Sequence, residues 1–218
     1  LYPTAAYAQD AEMGLTAFTE FVARALFLDK RDPVAAWRAL RDRQEKVVRR
    51  LREFIRLGRS ERAPVALARI VEESLVLSRS ELNLQGIDVA VRVPRDLPAV
   101  MADLLQIEQV LLNLLRNAAE AIAESGRLDG RIVIEAAPAE PGFIELRVQD
   151  NGPGFDPAFL ERPIVPFTTS KPEGTGIGLA FSRSIIENHG GRLWLGGGPG
   201  GAVVHFTLPF AGNQRHAG

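Results

Sequence analysis

Glycine placement between residues 150 and 189 constrains this chain more than any other feature. Asp150-Asn151-Gly152-Pro153-Gly154-Phe155 is followed by Gly174-Thr175-Gly176-Ile177-Gly178, which opens directly into an apolar helical pattern. Glycine lets the backbone turn sharply and approach a ligand closely. A helix that starts behind such a turn offers unpaired N–H groups and a positive dipole end, which suits phosphate. Either cluster alone reads first as an ordinary Gly-rich turn. A dinucleotide-binding reading fails because the spacing is G-x-G-x-G and no apolar strand feeds it. A P-loop reading fails because no Gly-Lys-Ser/Thr follows.

Upstream, residues 11–29 carry Leu15, Phe18, Phe21, Val22, Ala25 and Leu26 at helical spacing. Asp32-Pro33 marks a turn, and residues 34–57 form a second stripe through Trp37, Leu40, Val47, Val48, Leu51, Phe54 and Ile55. Two helices joined so briefly predict an antiparallel hairpin. Alone they enclose no core, so a second copy is expected to complete a four-helix bundle, making the chain a homodimer. The basic run Arg49, Arg50, Arg52, Arg56 and Arg59 is interleaved with Glu53 and Glu61 and reads as a solvated face, not a nucleic-acid surface.

The polar break at residues 58–64 divides a hairpin domain, residues 1–62, from a second domain, residues 63–210; residues 211–218 read as a disordered tail. Within the second domain, residues 65–80 and 103–124 are helical in pattern. Residues 87–93 alternate, with Ile87, Val89, Val91 and Val93 on one face expected to be buried. Residues 131–137 and 143–149 make two strands around Pro141-Gly142. A helix over residues 178–188 stops at His189-Gly190-Gly191, and residues 192–195 and 202–209 form a last hairpin across residues 196–201. Helices on one face of an antiparallel or mixed sheet make this an α+β sandwich.

Composition narrows the classes. A net charge of −1 gives no global pull toward nucleic acid, and the absence of cysteine excludes disulfides and thiolate sites. No apolar run is long enough to span a bilayer, so no membrane contact is expected and the location is read as cytoplasmic. The opening Leu1-Tyr2-Pro3 has neither Met nor leader, which reads as a fragment whose parent is open to an anchor upstream.

Asn113 and Asn117 interrupt the apolar face of the 103–124 helix, four residues apart. A buried amide needs partners, so each either caps a neighbour or presents its oxygen outward. Asn117 is the candidate to offer a carbonyl oxygen to Mg²⁺, which prefers oxygen ligands. Asp150 either forms an Asx turn or accepts a hydrogen bond from an exocyclic amine such as that of adenine.

These segments resemble the boxes of the catalytic ATP-binding domain of sensor histidine kinases, in the wider group that includes DNA gyrase and MutL. Glu108-Gln109-Val110-Leu111-Leu112-Asn113-Leu114-Leu115-Arg116-Asn117-Ala118 is similar to the N box and Asp150–Phe155 to the G1 box. Pro166-Phe167-Thr168-Thr169-Ser170-Lys171 is similar to the F box and Gly174-Thr175-Gly176-Ile177-Gly178-Leu179 to the G2 box. The resemblance covers residues 64–210. It implies a Bergerat fold, with a lid between Phe155 and Thr175. It places Asp150 on adenine, Asn117 on Mg²⁺, and Asn113 and Lys171 near the phosphates. Gly152, Gly154, Phe167, Thr168, Thr169, Gly174, Thr175, Gly176, Ile177, Gly178 and Leu179 complete the implied ATP site. In gyrase-type relatives a Glu precedes the metal-binding Asn by four residues and activates water. Asn113 stands there and cannot act as a base, so phosphoryl transfer to a protein side chain is expected rather than rapid hydrolysis.

The resemblance also implies an acceptor His on the first helix. Aligned on Leu15-Thr16-Ala17-Phe18, Gln9 takes that position, with Asp10 as the adjacent acid and Gly14 where a Pro is usual. The three histidines are His189, His205 and His216, all late in the chain. An amide cannot form the phosphoramidate that imidazole forms. The expectation is a sensor histidine kinase fragment of the two-component type, a transferase family member, that binds Mg²⁺ and ATP. It would face a response regulator but not autophosphorylate at Gln9. The alternative is a catalytically silent pseudokinase scaffold that docks a response regulator. Phosphatase activity through Asp10, Glu12 and Thr16 is left open.

Overall fold

The structure is a computed structural model that describes residues 61–166, 176–198 and 200–212. The expected hairpin, with Gln9 and Asp10, lies outside the described residues, as does the tail beyond residue 212. The chain divides into two units, Leu1–Arg59 with Pro163–Phe181, and Ser60–Arg162 with Ser182–Gly218. No helix among the described residues is long and apolar enough to cross a membrane.

In chain order the elements are β1 (Ala63–Val65), α1 (Leu67–Leu84), β2 (Asp88–Arg92), β3 (Val100–Ala102) and α2 (Leu104–Ser125). Then follow β4 (Arg131–Pro138), β5 (Phe143–Asp150), α3 (Pro157–Leu160), α4 (Gly178–Asn188), β6 (Leu193–Gly198) and β7 (Gly201–Pro209). The main sheet runs β2-β4-β5-β7-β6. β2 pairs parallel with β4 and every other pairing is antiparallel, so the α+β class with a mixed sheet holds.

Period-2 alternation builds the core. Ile132, Ile134 and Ala136 of β4, Ile144, Leu146 and Val148 of β5, and Ala202, Val204, Phe206 and Leu208 of β7 are buried. Against them α2 turns the stripe Ile107, Val110, Leu111, Leu114, Leu115, Ala118 and Ile122. Asp103 caps α2, its Oδ1 accepting from the Gln106 N–H at 3.2 Å, and Gly126 ends it in the left-handed region at φ 69°. The opposite sheet face carries a lateral row, Arg92, Glu135, Arg147, His205 and Trp194, one residue from each strand in register. Arg92 and Arg147 pair with Glu135, and Trp194 stacks on His205 at 5.1 Å.

Three sequence expectations change. The break at residues 58–64 ends in a strand, β1, paired with β3 through Ala63↔Ala102 and Val65↔Val100. α1 runs on to Leu84, and its buried face is Leu67, Ile70, Val71, Ser74, Ser78 and Leu82, leaving Leu77 61% exposed. The β2 face is not buried throughout: Ile87 is, but Val91 is 45% exposed. Among the described residues β2 is an edge strand with β4 as its single neighbour.

Candidate nucleotide-binding site

Asp150 ends β5 in the same inward register as Ile144, Leu146 and Val148, so alternation alone turns a carboxylate to the helix side of the sheet. It is 7% exposed. Burial of that acid is offset by backbone donors: the Gly152 N–H reaches Oδ1 at 2.8 Å and the Ala202 N–H approaches it at 3.4 Å. The fit is close. A Cβ on Gly152 would stand 2.9 Å from Asp150 Oδ1 and 3.2 Å from the Ala121 carbonyl carbon, and one on Gly201 would stand 2.0 Å from the Asp150 carbonyl oxygen. Asn151 faces away from this cradle. Its Oδ1 accepts from the Arg131 N–H at 2.7 Å and its Nδ2 donates to the Asp129 carbonyl at 2.8 Å, locking β5 to the start of β4.

Asn113, Asn117 and Ala121 follow one another at four-residue spacing along one face of α2. Asn113 is buried, and its Nδ2 donates to Ser182 Oγ at 3.0 Å. Asn117 is half-buried. Because Ala121 touches the Gly152 position, the Asn117–Ala121 turn and the Asp150 cradle lie at the same end of the sheet. Gly154 follows at φ 80°, a conformation open chiefly to glycine.

In the first unit, Gly176 has φ 65°, Ile177 is buried, and α4 begins at Gly178 with the Phe181 N–H bonded to the Ile177 carbonyl at 2.9 Å. Leu179 lies in that first turn. Phe167, Thr168, Thr169, Lys171, Gly174 and Thr175 lie outside the described residues.

His189 fulfils its structural reading. It is 2% exposed, its Nδ1 lies 2.7 Å from the Ile185 carbonyl, and its Nε2 accepts from the Asp103 N–H at 3.1 Å. Those partners select the neutral ring with its proton on Nδ1. Burial pushes its pKa down, opposed by the Ile185 hydrogen bond, with Arg62 lowering it and Asp103 raising it. The imidazole thus ties the end of α4 to the start of α2. Among the described residues no cluster of three or more His, Cys, Asp or Glu could hold a metal ion.

Sequence reasoning missed Ala121, Ser182, Gly201 and Ala202. Ala121 was within reach, as the next four-residue step after Asn117. The others depend on strand register and helix docking.

The model of the histidine kinase-, DNA gyrase B-, and HSP90-like ATPase family matches residues 102–212. Sensor protein FixL of Bradyrhizobium diazoefficiens is 41% identical over 178 residues, 81% of this chain and 34% of that protein, so the chain spans about a third of that relative. The catalytic domain of histidine kinase ThkA is 32% identical and superposes with a TM-score of 0.61, covering 69% of this chain and 96% of that one. ThkA solved in complex with response regulator protein TrrA is 26% identical with a TM-score of 0.66, covering 97% of this chain and 62% of that one. These likenesses show the family: the chain belongs to the histidine kinase-, DNA gyrase B-, and HSP90-like ATPase family, as a sensor histidine kinase ATPase domain.

Proposed function

We propose that the site takes ATP with Mg²⁺ and that the chain is the transmitter portion of a dimeric sensor histidine kinase. The observation that carries this is Asp150: a buried carboxylate at the end of an inward strand row, held by two backbone N–H groups beside the Asn117–Ala121 turn. Such an acid is an acceptor of fixed direction, and the exocyclic amine of adenine is the donor it fits. Asn117 would offer its amide oxygen to the cation. Mg²⁺ keeps several waters beside substrate phosphates and needs few protein oxygens, which one amide oxygen suits. Asn113 and Lys171 would face the phosphates, with Gly152 and Gly154 along the base side. Gly174, Thr175, Gly176, Ile177, Gly178 and Leu179 would form the phosphate turn, and Phe167, Thr168 and Thr169 the lid. Bound Mg²⁺ would neutralise phosphate charge; the protein groups position and orient.

Transfer would run to the first helix and then to a response regulator, a partner supported by the solved complex of ThkA with TrrA. Gln9 occupies the acceptor position in the register set by Leu15-Thr16-Ala17-Phe18, and Asp10 would be a general base with no acceptor beside it. A second reading follows from the histidines, which stand at 189, 205 and 216 with none in the hairpin. The chain is then an ATP-binding scaffold that docks a regulator without phosphorylating itself.

One experiment separates them. The chain and its Gln9→His variant are incubated with Mg·ATP labelled on the γ-phosphate, beside Asp150→Asn. Label on the variant alone places the acceptor at residue 9 and supports a working kinase site. Label on the parent chain overturns the Gln9 assignment. Binding without label on either favours the scaffold. Unchanged ATP binding by Asp150→Asn removes Asp150 from the base site.

A further inference from the structure

One buried polar pair joins α2 and α4 among the apolar residues of their buried faces. Ser182 is 0% exposed and shares the buried face of α4 with Ile185 and Ile186. Its Oγ accepts from Asn113 Nδ2 at 3.0 Å. Asn113 sits in the apolar stripe of α2 between Val110 and Leu114. A serine inside a helix ordinarily bonds back to the carbonyl one turn earlier, as Ser74 does to Ile70 at 2.8 Å. Ser182 instead meets a side chain 69 residues away in sequence.

Two apolar side chains of the same volume would pack here with no polar group to desolvate, so stability alone does not call for the pair. What the pair supplies is position. Asn113 is one turn from Asn117 on one face of α2, and Ser182 is one turn beyond Gly178, where α4 begins. A hydrogen bond sets the distance and angle between the two helices more sharply than apolar contact does.

We infer that Ser182 is a positioning residue for the nucleotide site, holding Asn113 and with it the asparagine-bearing edge of α2. This rests on the reading of the site as one for Mg·ATP. Ser182 acts through Asn113 and touches no ligand itself.

The test is a double-mutant cycle on the full chain. Isothermal titration with Mg²⁺ and a non-hydrolysable ATP analogue is run on the parent chain, S182A, N113A and S182A/N113A, with urea unfolding of each in parallel. S74A, which removes a buried serine hydrogen bond in α1, is the control for lost stability alone. S182A is expected to weaken binding about tenfold, the factor set by ~1.4 kcal/mol. In the N113A background the same change is expected to move affinity less than about twofold, since residues joined in one interaction are non-additive. S74A is expected to lower the unfolding midpoint and leave affinity unchanged. Binding by S182A equal to the parent overturns the inference while the nucleotide reading stands. Equal losses in both backgrounds also overturn it, because Ser182 would then act without Asn113. A parent chain that does not bind the analogue removes the nucleotide reading, and the role of Ser182 falls with it. Should S182A not fold, S182C keeps the shape of the side chain, slightly enlarged, with only a weak acceptor, and the same outcomes decide.

Discussion

A histidine 2% exposed and bonded through both ring nitrogens has little room for a second proton. Burial is the main cause that lowers the His189 pKa from 6.5 in the fold. The unfolded chain therefore binds the proton more readily. The contribution of this ring to stability is complete above about pH 6.5 and is lost as acid takes the pH down through that value toward the folded pKa. Urea unfolding midpoints at pH 7.5 and 5.5 are expected to fall for the parent chain. His189→Gln is expected to start lower, by roughly 1–3 kcal/mol for the disturbed Asp103 donor, and to show a flatter response. Equal slopes would remove His189 as the titrating group. The neighbouring glycines separate two kinds of cost. Gly190 has φ 78° and open space around a would-be Cβ, so alanine costs about 1–2 kcal/mol of backbone strain. A Cβ on Gly191 would stand 1.9 Å from the Thr207 carbonyl oxygen, so Gly191→Ala must push the turn that follows α4 away from β7. It is expected to exceed about 4 kcal/mol, in the diagnostic range for single substitutions. Reversed severity in the same urea assay would contradict the packing at Thr207.

At the scale of elements, α2 depends on Asp103. Oδ1 caps the helix through Gln106, and Oδ2 takes the Glu61 N–H at 3.0 Å. Asp103→Ala is expected to cost about 0.5–2 kcal/mol for the cap, with Asp103→Asn recovering most of it in chemical unfolding. Full loss in both variants would mean that the charge, not the acceptor, matters. The elements that sequence patterning reached are those with enough repeats to show a period. α2 has its stripe from Ile107 to Ile122, β4 and β5 alternate over eight residues each, and α4 sits between Gly178 and the His189-Gly190-Gly191 stop. β1 and β3 have three residues each and exist because they pair with one another, which no local pattern carries. Val91 was misplaced because alternation marks a face but not whether a neighbour covers it. The site divides in the same way. Asp150 and the two asparagines stand out as polar residues in apolar registers. Ser182 and Ala202 look ordinary in sequence and gain their place only when α4 docks on α2 and β7 closes on β5.

Across the whole molecule, the described core lies between Leu67 and Leu208, and β5 stands at the centre of the sheet with β4 on one side and β7 on the other. A fragment of residues 60–212 keeps that core and both its straps. At one end Glu61 and β1 hold Asp103 and β3. At the other, the Ala211 N–H bonds the Ala99 carbonyl at 2.8 Å and Phe210 bridges to Val100. Both straps converge on the segment that feeds the N-terminus of α2, the helix that carries Asn113 and Asn117. A fragment of residues 67–212 loses β1 and the Glu61 donor yet retains every buried apolar residue named here. The longer fragment is expected to melt in one cooperative transition and to gain about 2.7 kcal/mol from Mg·ATP at a hundred times its Kd. The shorter one is expected to melt lower and, because the start of α2 is released, to need more nucleotide for the same gain. Calorimetric melts of both fragments across a Mg·ATP series measure the two effects together. Coincident melts would show that β1 and Glu61 lend α2 nothing, and a lower melt with unchanged nucleotide response would confine their role to stability.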